Sequence, residues 1–386
     1  MRVLFSTTPA HGHLLPLLPL ARAFRERGDD VAVVTAGVFG PVVAPEGIEL
    51  LSAGPTMDVR LAEAGLRTGA DPTTPLPETV AELFGGVAID LAGEETLTAA
   101  GRWRPDLLVS EIHDYVGPLV AATLDVPVAT LALGPAHPPE YPASIAAVAN
   151  RRYADRGLTR RSAAWLLDTC PAALQPMGWQ APPERMPLRP EAHRQPWDQL
   201  PELTPAGRPR RARPRVLVSF GTVFSSPQLL SPILRALSAA DLDLLVTLGF
   251  TASAADFEVD HERVTFAGFT PLDRLLREVD LVITHGGAGT TLGTLAAGIP
   301  LAVVPQAADH FIQADRVAAS GAGLALLPGT ATPEAVTEAA TTVLTEPAFR
   351  ASAQVIAAQI AALPAPADVA AELAAALAET RTSPAR

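Results

Sequence analysis

The chain has 386 residues, 48% of them hydrophobic, which is enough to build about two ordinary domains. Its 29 basic residues are all arginine, and the lack of lysine excludes a P-loop nucleotidase and a Schiff-base enzyme, both of which need that amine. The net charge of -12 argues against a nucleic-acid or anionic-membrane partner. The one cysteine, Cys170, excludes an internal disulfide and a zinc site with two thiolates, and it fits a reducing compartment.

The first half of the chain opens like a parallel, doubly wound sheet. Residues 2–7 predict a strand, a run at helical spacing follows until Gly28, and residues 31–35 predict the next strand. Further buried strands are predicted at 48–51, 106–109 and 126–133. The N-terminus lacks the long apolar core of a signal peptide, so we expect a cytoplasmic protein without a membrane span.

Residues 135–201 differ in character from the segments before them. They are rich in proline and contain a set of large side chains, Tyr141, Trp165, Met177, Trp179 and Trp197. We interpret this region as irregular and helical cover near an acceptor pocket, although ordinary packing explains each aromatic residue equally well.

The alternation of strands and helices starts again after Pro214. Short buried strands are predicted at 216–220, 242–248, 264–266, 281–284, 301–304 and 324–327. The Pro- and Arg-rich residues 201–215 predict a linker between domains at 1–200 and 216–365, with a C-terminal helix and tail at 366–386. We therefore predict an α/β protein with two Rossmann-like, doubly wound parallel sheets that face each other across a cleft, where ligands gather beyond the carboxyl ends of the strands.

A candidate phosphate site lies in the second half. Residues 281–292 run from a buried strand through a glycine-rich turn into a helix, whose first N–H groups lack partners and carry partial positive charge. His285 stands at the strand end, and Thr290 and Thr291 add hydroxyls that can donate to a phosphate or cap the helix. A second glycine turn, residues 219–222, points to the same edge, and Asp309 follows the strand at 301–304, where it can accept hydrogen bonds from sugar hydroxyls.

A candidate base lies in the first half. His11 and His13 follow the first strand, and a neutral imidazole with a reference pKa of about 6.5 suits the removal of a hydroxyl proton at cytoplasmic pH. Such a base needs a carboxylate on its other ring nitrogen. The pair Asp241 and Asp243 resembles the metal-binding Asp-x-Asp of other sugar transferases, but it begins a buried strand, so we predict no metal site.

These motifs together resemble glycosyltransferase family 1. The run His285-Gly-Gly-Ala-Gly-Thr290, with Gly298-Ile-Pro300, Pro305, Asp309 and Arg316-Val-Ala, is similar to the family's donor signature, above all in the bacterial branch that decorates antibiotic and other natural-product aglycones. The resemblance covers residues 2–323 and implies the GT-B fold. It also implies inverting transfer of a sugar from a TDP- or UDP-sugar to a hydroxyl of a hydrophobic aglycone, with the nucleotide diphosphate sugar as co-substrate and without a cofactor or catalytic metal.

The resemblance assigns roles to individual residues. It implies that His13 is the general base and that Glu111 is its orienting carboxylate, with Asp114 as the runner-up. Phe269 is expected to lie against the nucleotide base. The predicted donor-binding residues are Ser219, Gly221, Thr222, Phe269, Thr270, His285, Gly287, Ala288, Gly289, Thr290, Asp309 and His310. His310 stands where the family usually has glutamine, which leaves the identity of the sugar open.

Other functions remain open at this point. A nucleotide-sugar epimerase of the same architecture would act on the donor alone, so analysis of the product made without an acceptor separates it from a transferase. A helper protein that binds the nucleotide sugar without chemistry is a third possibility. A dinucleotide-dependent oxidoreductase is disfavoured because the first turn lacks Gly-x-Gly-x-x-Gly. The oligomeric state is also open, with a homodimer as one option.

Overall fold

The computed structural model describes residues 1–70, 76–194, 212–221, 224–249, 252–268, 270–307 and 309–382. The chain divides into two compact units. The first contains Met1–Thr169, Gln180–Arg189 and Pro364–Arg386, and the second contains Cys170–Trp179 and Pro190–Leu363.

The first unit is built on a parallel sheet of seven strands. The strands are β1 (Arg2–Ser6), β2 (Asp30–Thr35), β3 (Glu49–Ser52), β4 (Leu107–Glu111), β5 (Val128–Ala132), β6 (Trp165–Asp168) and β7 (Arg185–Pro187). The helices are α1 (His11–Leu14), α2 (Leu18–Glu26), α3 (Gly40–Val43), α4 (Met57–Thr68), α5 (Pro77–Glu82), α6 (Ala88–Trp103), α7 (Val116–Leu124), α8 (Glu140–Ala154) and α15 (Pro366–Thr382). The strand order is β3-β2-β1-β4-β5-β6-β7, so the order reverses between β1 and β4. Ligands of doubly wound sheets bind at such a reversal, beyond the carboxyl ends of the strands.

The second unit repeats this plan with six parallel strands. They are β8 (Arg215–Ser219), β9 (Asp243–Thr247), β10 (Val264–Ala267), β11 (Leu281–Thr284), β12 (Leu301–Val303) and β13 (Gly323–Ala325). The helices are α9 (Pro227–Ala239), α10 (Leu272–Leu276), α11 (Ala288–Ala296), α12 (His310–Ala319), α13 (Pro333–Thr345) and α14 (Pro347–Ala361). The order β10-β9-β8-β11-β12-β13 reverses between β8 and β11. Both sheets are covered on their faces, which explains why strands such as β4 and β11 are buried along their whole length.

The predicted strands are confirmed in both units, with ends that differ by at most two residues. The interpretation of residues 135–201 as irregular and helical cover was wrong in part, because this region also contains β6 and β7. Strand β7 has three residues and ends in Pro187, which its position at the sheet edge tolerates. Trp165 begins β6, at the end of the strand opposite its carboxyl end, and Trp179 and the exposed Met177 belong to the second unit.

The packing divides the chain differently from the sequence-based boundaries. The C-terminal helix α15 returns to the first unit, where it packs against α2. Residues 190–194, expected in the first domain, belong to the second unit, and residues 201–211 of the expected linker lie outside the described residues.

The stretch Pro347–Glu379 is long and apolar enough to be a candidate membrane span by composition. A break between α14 and α15 interrupts it. Ile356 and Ile360 of α14 lie in the core of the second unit, and Val369 and Leu373 of α15 are fully buried. These two helices therefore have the buried faces that core helices of a globular domain have.

Candidate functional site

The first candidate site lies where β1 and β4 end side by side. Ser6 pairs with Ser110 in the sheet, so the turn after β1 meets the last residue of β4, Glu111. That turn leads into α1, whose first turn carries His13. Nδ1 of His13 lies 3.0 Å from Oε1 of Glu111, so the structure brings these two predicted residues together.

Glu111 is completely buried, and both oxygens of its carboxylate accept hydrogen bonds. Oε1 accepts from the Thr8 N–H at 3.3 Å, and Oε2 accepts from the His113 N–H at 2.6 Å. Burial by itself would raise the pKa of Glu111, but the positive charge and hydrogen bond of His13, with the contribution of His113, outweigh it and lower the pKa to about 2. Glu111 is therefore an ionised carboxylate at neutral pH. A carboxylate only accepts hydrogen bonds, so it selects the His13 tautomer with the proton on Nδ1 and a lone pair on Nε2.

Asp114, the runner-up for the orienting acid, has a different position. Its carboxylate accepts from the N–H groups of Val116 and Gly117, at 2.9 and 3.2 Å, at the start of α7. Burial raises the pKa of Asp114 to about 6, and the negative charge of Glu111 adds to that rise. Asp114 therefore binds N–H groups at the start of α7 rather than the ring of His13. The ring of His11 lies 5.0 Å from that of Phe39.

Sequence reasoning missed His113, which lies beside both predicted residues. Its Nδ1 is 3.7 Å from Oε2 of Glu111, and its ring meets that of His13 edge to face at 5.6 Å. Burial lowers the pKa of His113 to about 3, so the ring is neutral. Its place two residues after Glu111, at the same strand end, was the signal available in the sequence. We call His13, Glu111 and His113 the base site.

An aromatic cluster borders the base site. Phe84 lies 5.9 Å from the ring of His13 and 5.1 Å from that of His113. The rings of His137 and Tyr141 lie 5.4 and 6.0 Å from His113. Of the large side chains noted in residues 135–201, Tyr141 has a ring that contacts this site, and Trp197 lies outside the described residues.

The second candidate site lies where β8 and β11 end side by side. Ser219 pairs with Thr284, and His285 follows directly. Nδ1 of His285 lies 3.4 Å from the Ser219 carbonyl oxygen and 3.2 Å from Oγ1 of Thr284. Burial lowers the pKa of His285 to about 4, so the ring is neutral in the protein alone.

Two glycines make room for the other edge of this ring. A Cβ added to Gly221 would lie 2.9 Å from Nε2 of His285, and one added to Gly287 would lie 2.7 Å from it. Gly287 is also the N-cap residue of α11, whose first turn contains Ala288, Gly289 and Thr290. Gly289 is exposed and a Cβ there would contact nothing, so the helix start is open to a ligand. The unpaired N–H groups of such a start favour an anion.

His310 completes this arrangement from the end of β12. Its ring meets that of His285 edge to face at 4.6 Å, and its Nδ1 accepts from the Ala307 N–H at 3.1 Å. Burial lowers the pKa of His310 to about 3. Asp309, the half-buried N-cap residue of α12, lies next to it. We call Ser219, Gly221, His285, Gly287 and His310 the donor site.

The remaining predicted donor residues are less closely connected. Thr270 follows β10, two strands away from β8, and no hydrogen bond among the described residues joins it to His285. Thr222 and Phe269 lie outside the described residues. Sequence reasoning missed Phe224, whose ring lies 6.0 Å from His285 and 5.4 Å from His310.

Known proteins match this chain over most of its length. A family model described as erythromycin biosynthesis protein CIII-like, C-terminal domain, matches residues 231–376. The L-demethylnoviosyl transferase of Streptomyces niveus is 32% identical over 84% of this chain and 85% of its own, and the elloramycin glycosyltransferase ElmGT of Streptomyces olivaceus is 33% identical over 92% of each. The solved structure of glycosyltransferase SsfS6 from Streptomyces sp. SF2575, complexed with thymidine diphosphate, aligns with a TM-score of 0.81 at 28% identity over 97% of this chain and 99% of its own. The chain therefore belongs to glycosyltransferase family 1, in the branch of antibiotic glycosyltransferases, and has the GT-B fold.

Proposed function

We propose that this glycosyltransferase moves a sugar, with inversion, from a TDP- or UDP-sugar to a hydroxyl of a hydrophobic aglycone, and that His13 is its general base. One observation carries this proposal: the ionised, buried Glu111 carboxylate lies 3.0 Å from Nδ1 of His13. In this orientation the lone pair on Nε2 of His13 can accept the proton of a substrate O–H group.

The proposed chemistry at the base site is a proton transfer coupled to attack. The lone pair on Nε2 of His13 takes the acceptor's hydroxyl proton while the oxygen attacks C1 of the sugar, and the bond between C1 and the diphosphate oxygen breaks. The imidazolium that forms is stabilised by Glu111, whose charge is already present and needs no rearrangement.

The proposed chemistry at the donor site is stabilisation of the leaving diphosphate. The free amides at the start of α11, the hydroxyl of Thr290 and the ring of His285 face the charge that develops there. These groups provide the stabilisation that a metal ion provides in other transferases, so we propose that transfer needs no metal. The thymidine diphosphate bound by SsfS6 supports the donor class.

The acceptor is proposed to bind beside the aromatic cluster. Phe84, His137 and Tyr141 offer ring surfaces near His13 that suit a flat, apolar molecule. The names of the two relatives point to antibiotic glycosides in the same way. We also propose a cytoplasmic location, which fits a chain with a single, buried cysteine.

The test compares two histidines of the same turn. His13→Ala is expected to lower kcat by roughly 100-fold or more, because it removes the proton acceptor, and to leave the affinity for thymidine diphosphate near that of the wild type. His11→Ala is the matched control and is expected to keep most of the activity, since the His11 ring packs against Phe39. Full activity of His13→Ala would overturn the assignment, and sugar inversion by the wild type without any acceptor would indicate an epimerase instead.

A further inference from the structure

The base site contains three side chains of the kinds that bind transition metals. His13, Glu111 and His113 each offer one nitrogen or oxygen ligand atom, and these atoms lie within 4.8 Å of one another. Nδ1 of His13 lies 3.0 Å from Oε1 of Glu111, and Nδ1 of His113 lies 3.7 Å from Oε2 of the same carboxylate. Two ligands on a tetrahedral zinc ion are about 3.3 Å apart, since the bonds are about 2.0 Å long. Small side-chain shifts would therefore bring the three atoms to coordination distance.

His113 has no part in the proposed transfer reaction, yet its ring is directed at Glu111. The residue is 5% exposed, and its Nδ1 has no hydrogen-bond partner among the described residues. Leaving such a buried polar atom unpaired is unfavourable, and a bound metal ion would supply the missing partner. A neutral imidazole nitrogen and an ionised carboxylate oxygen are the forms of these groups that coordinate a metal.

We propose that His13, Glu111 and His113 bind one Zn²⁺ ion, and that the bound ion inhibits sugar transfer. Two imidazoles and one carboxylate suit zinc, whereas magnesium and calcium prefer oxygen ligands. The His13 side chain is 19% exposed, and those of the other two are nearly or completely buried, so the ion would enter beside His13 and keep a water as its fourth ligand.

Inhibition is expected because His13 would coordinate the ion through Nδ1. Its Nδ1 faces Glu111, and an imidazole coordinated through Nδ1 carries its proton on Nε2. Nε2 then donates a hydrogen bond and has no lone pair to accept the acceptor's proton. This consequence depends on the function proposed above, whereas metal binding does not.

The binding test uses the whole protein, freed of metal with a chelator and without substrates. Titration with zinc chloride is followed by calorimetry, and titration with Co²⁺ by the visible absorption of a tetrahedral site. We expect one equivalent to bind the wild type. His113→Ala and His113→Asn are expected to weaken zinc binding at least about 100-fold, because loss of even an outer partner of a metal ligand costs up to about that much.

Two control variants separate this site from other histidines. His261→Ala removes an exposed histidine, and His310→Gln breaks the histidine pair of the donor site; neither is expected to change zinc affinity. Circular dichroism identifies variants that have not folded, and the asparagine variant tests the prediction if the alanine variant fails. A wild type that binds no zinc, or equal affinity in folded His113 variants, would overturn the proposal.

Inhibition is measured against the zinc-free rate of each variant. The wild type should lose transfer activity as zinc saturates the site and regain it with chelator, whereas His113→Ala should need at least about tenfold more zinc for half inhibition. Absence of zinc binding together with an inactive His13→Ala variant would refute the metal site and leave the base assignment intact. Stoichiometric binding to the wild type without inhibition would retain the metal site and contradict the role of His13.

Discussion

The base site and the donor site occupy the same position in two similar sheets and have opposite chemistry. Each lies at the reversal of strand order, beyond the carboxyl ends of the unit's first and fourth strands. In the first unit a carboxylate, Glu111, ends the fourth strand, and in the second unit a histidine between two glycines, His285, follows it. The fold thus determines where a ligand can bind, and the few residues at the strand ends determine which chemistry occurs there.

The electrostatic difference follows directly from these residues. At the base site the ionised Glu111 favours a positive ring on His13. At the donor site the described contacts of Nδ1 of His285 are two neutral oxygens, and burial keeps the ring neutral until an anion arrives. The base site is therefore suited to accept a proton, which leaves a positive charge on His13. The donor site is suited to bind a negatively charged ligand.

The largest expected effect concerns Asp114, a buried acid beside the base site whose pKa is raised by burial and by the charge of Glu111. Its pKa in the folded protein is about 6, against about 3.9 in an unfolded chain. A raised folded pKa means that the stabilising contribution is complete below pH 4 and is lost as pH rises through 6. Asp114→Asn cannot ionise but keeps an oxygen for the N–H groups of Val116 and Gly117. We expect the variant to gain about 3 kcal/mol in free energy of unfolding, relative to the wild type, between pH 4 and pH 7.

Denaturant unfolding of both proteins at several pH values, followed by circular dichroism, measures this difference. Glu111 acts in a lower window, since its lowered pKa gives stability that is lost below about pH 4 in both proteins alike. Asp125→Asn is the control, because that carboxyl is 79% exposed and its ion pair with Arg161 contributes little. If the free energies of unfolding of Asp114→Asn and the wild type change in parallel between pH 4 and pH 7, the pKa of Asp114 is not raised in the folded protein.

The second prediction compares Gly287 at the donor site with Gly12, the glycine next to His13 at the base site, and tests whether each position requires glycine. Gly287→Ala places a Cβ 2.7 Å from Nε2 of His285, so the ring or the helix start must move. We expect thymidine diphosphate to bind at least about tenfold more weakly, which corresponds to about 1.4 kcal/mol. Isothermal titration calorimetry with the nucleotide alone measures the change.

Gly12→Ala is the counterpart in the first unit, next to His13. A Cβ at Gly12 has no atom within 4 Å, so nucleotide affinity should stay at the wild-type value. Equal affinities in all three proteins would mean that the His285 ring is not held against the nucleotide.

The features that the sequence predicted are those encoded within a few adjacent residues. Apolar runs predicted the core strands, and the glycine turn after residues 281–284 predicted an open helix start. Glu111 was chosen over Asp114 through a family resemblance, because both acids follow the same strand and only their contacts distinguish them. His113 carried no pattern of its own, and its importance comes from the rings that fold around it.

Features that depend on distant segments escaped prediction. Strands β6 and β7 are short and include Arg185 and Pro187, so their pairing with the sheet, not their composition, makes them strands. The return of α15 to α2 joins the two ends of the chain, which no local pattern encodes.

The smallest expected effect concerns the position at which the donor site departs from its family. The family resemblance implies glutamine at the position of His310. Its Nδ1 accepts from the Ala307 N–H, and its ring packs on His285 and Phe224. His310→Gln keeps an acceptor and a donor but removes an aromatic ring. Because the diphosphate is expected to bind the helix start and His285, we predict that affinity for thymidine diphosphate changes less than about threefold. The relative kcat/KM for donors that differ only in their sugar should change more, because the residue after Asp309 is expected to face the sugar. Competition assays with pairs of TDP-sugars measure that ratio, and an unchanged sugar preference with a large loss of nucleotide affinity would assign His310 to the diphosphate instead.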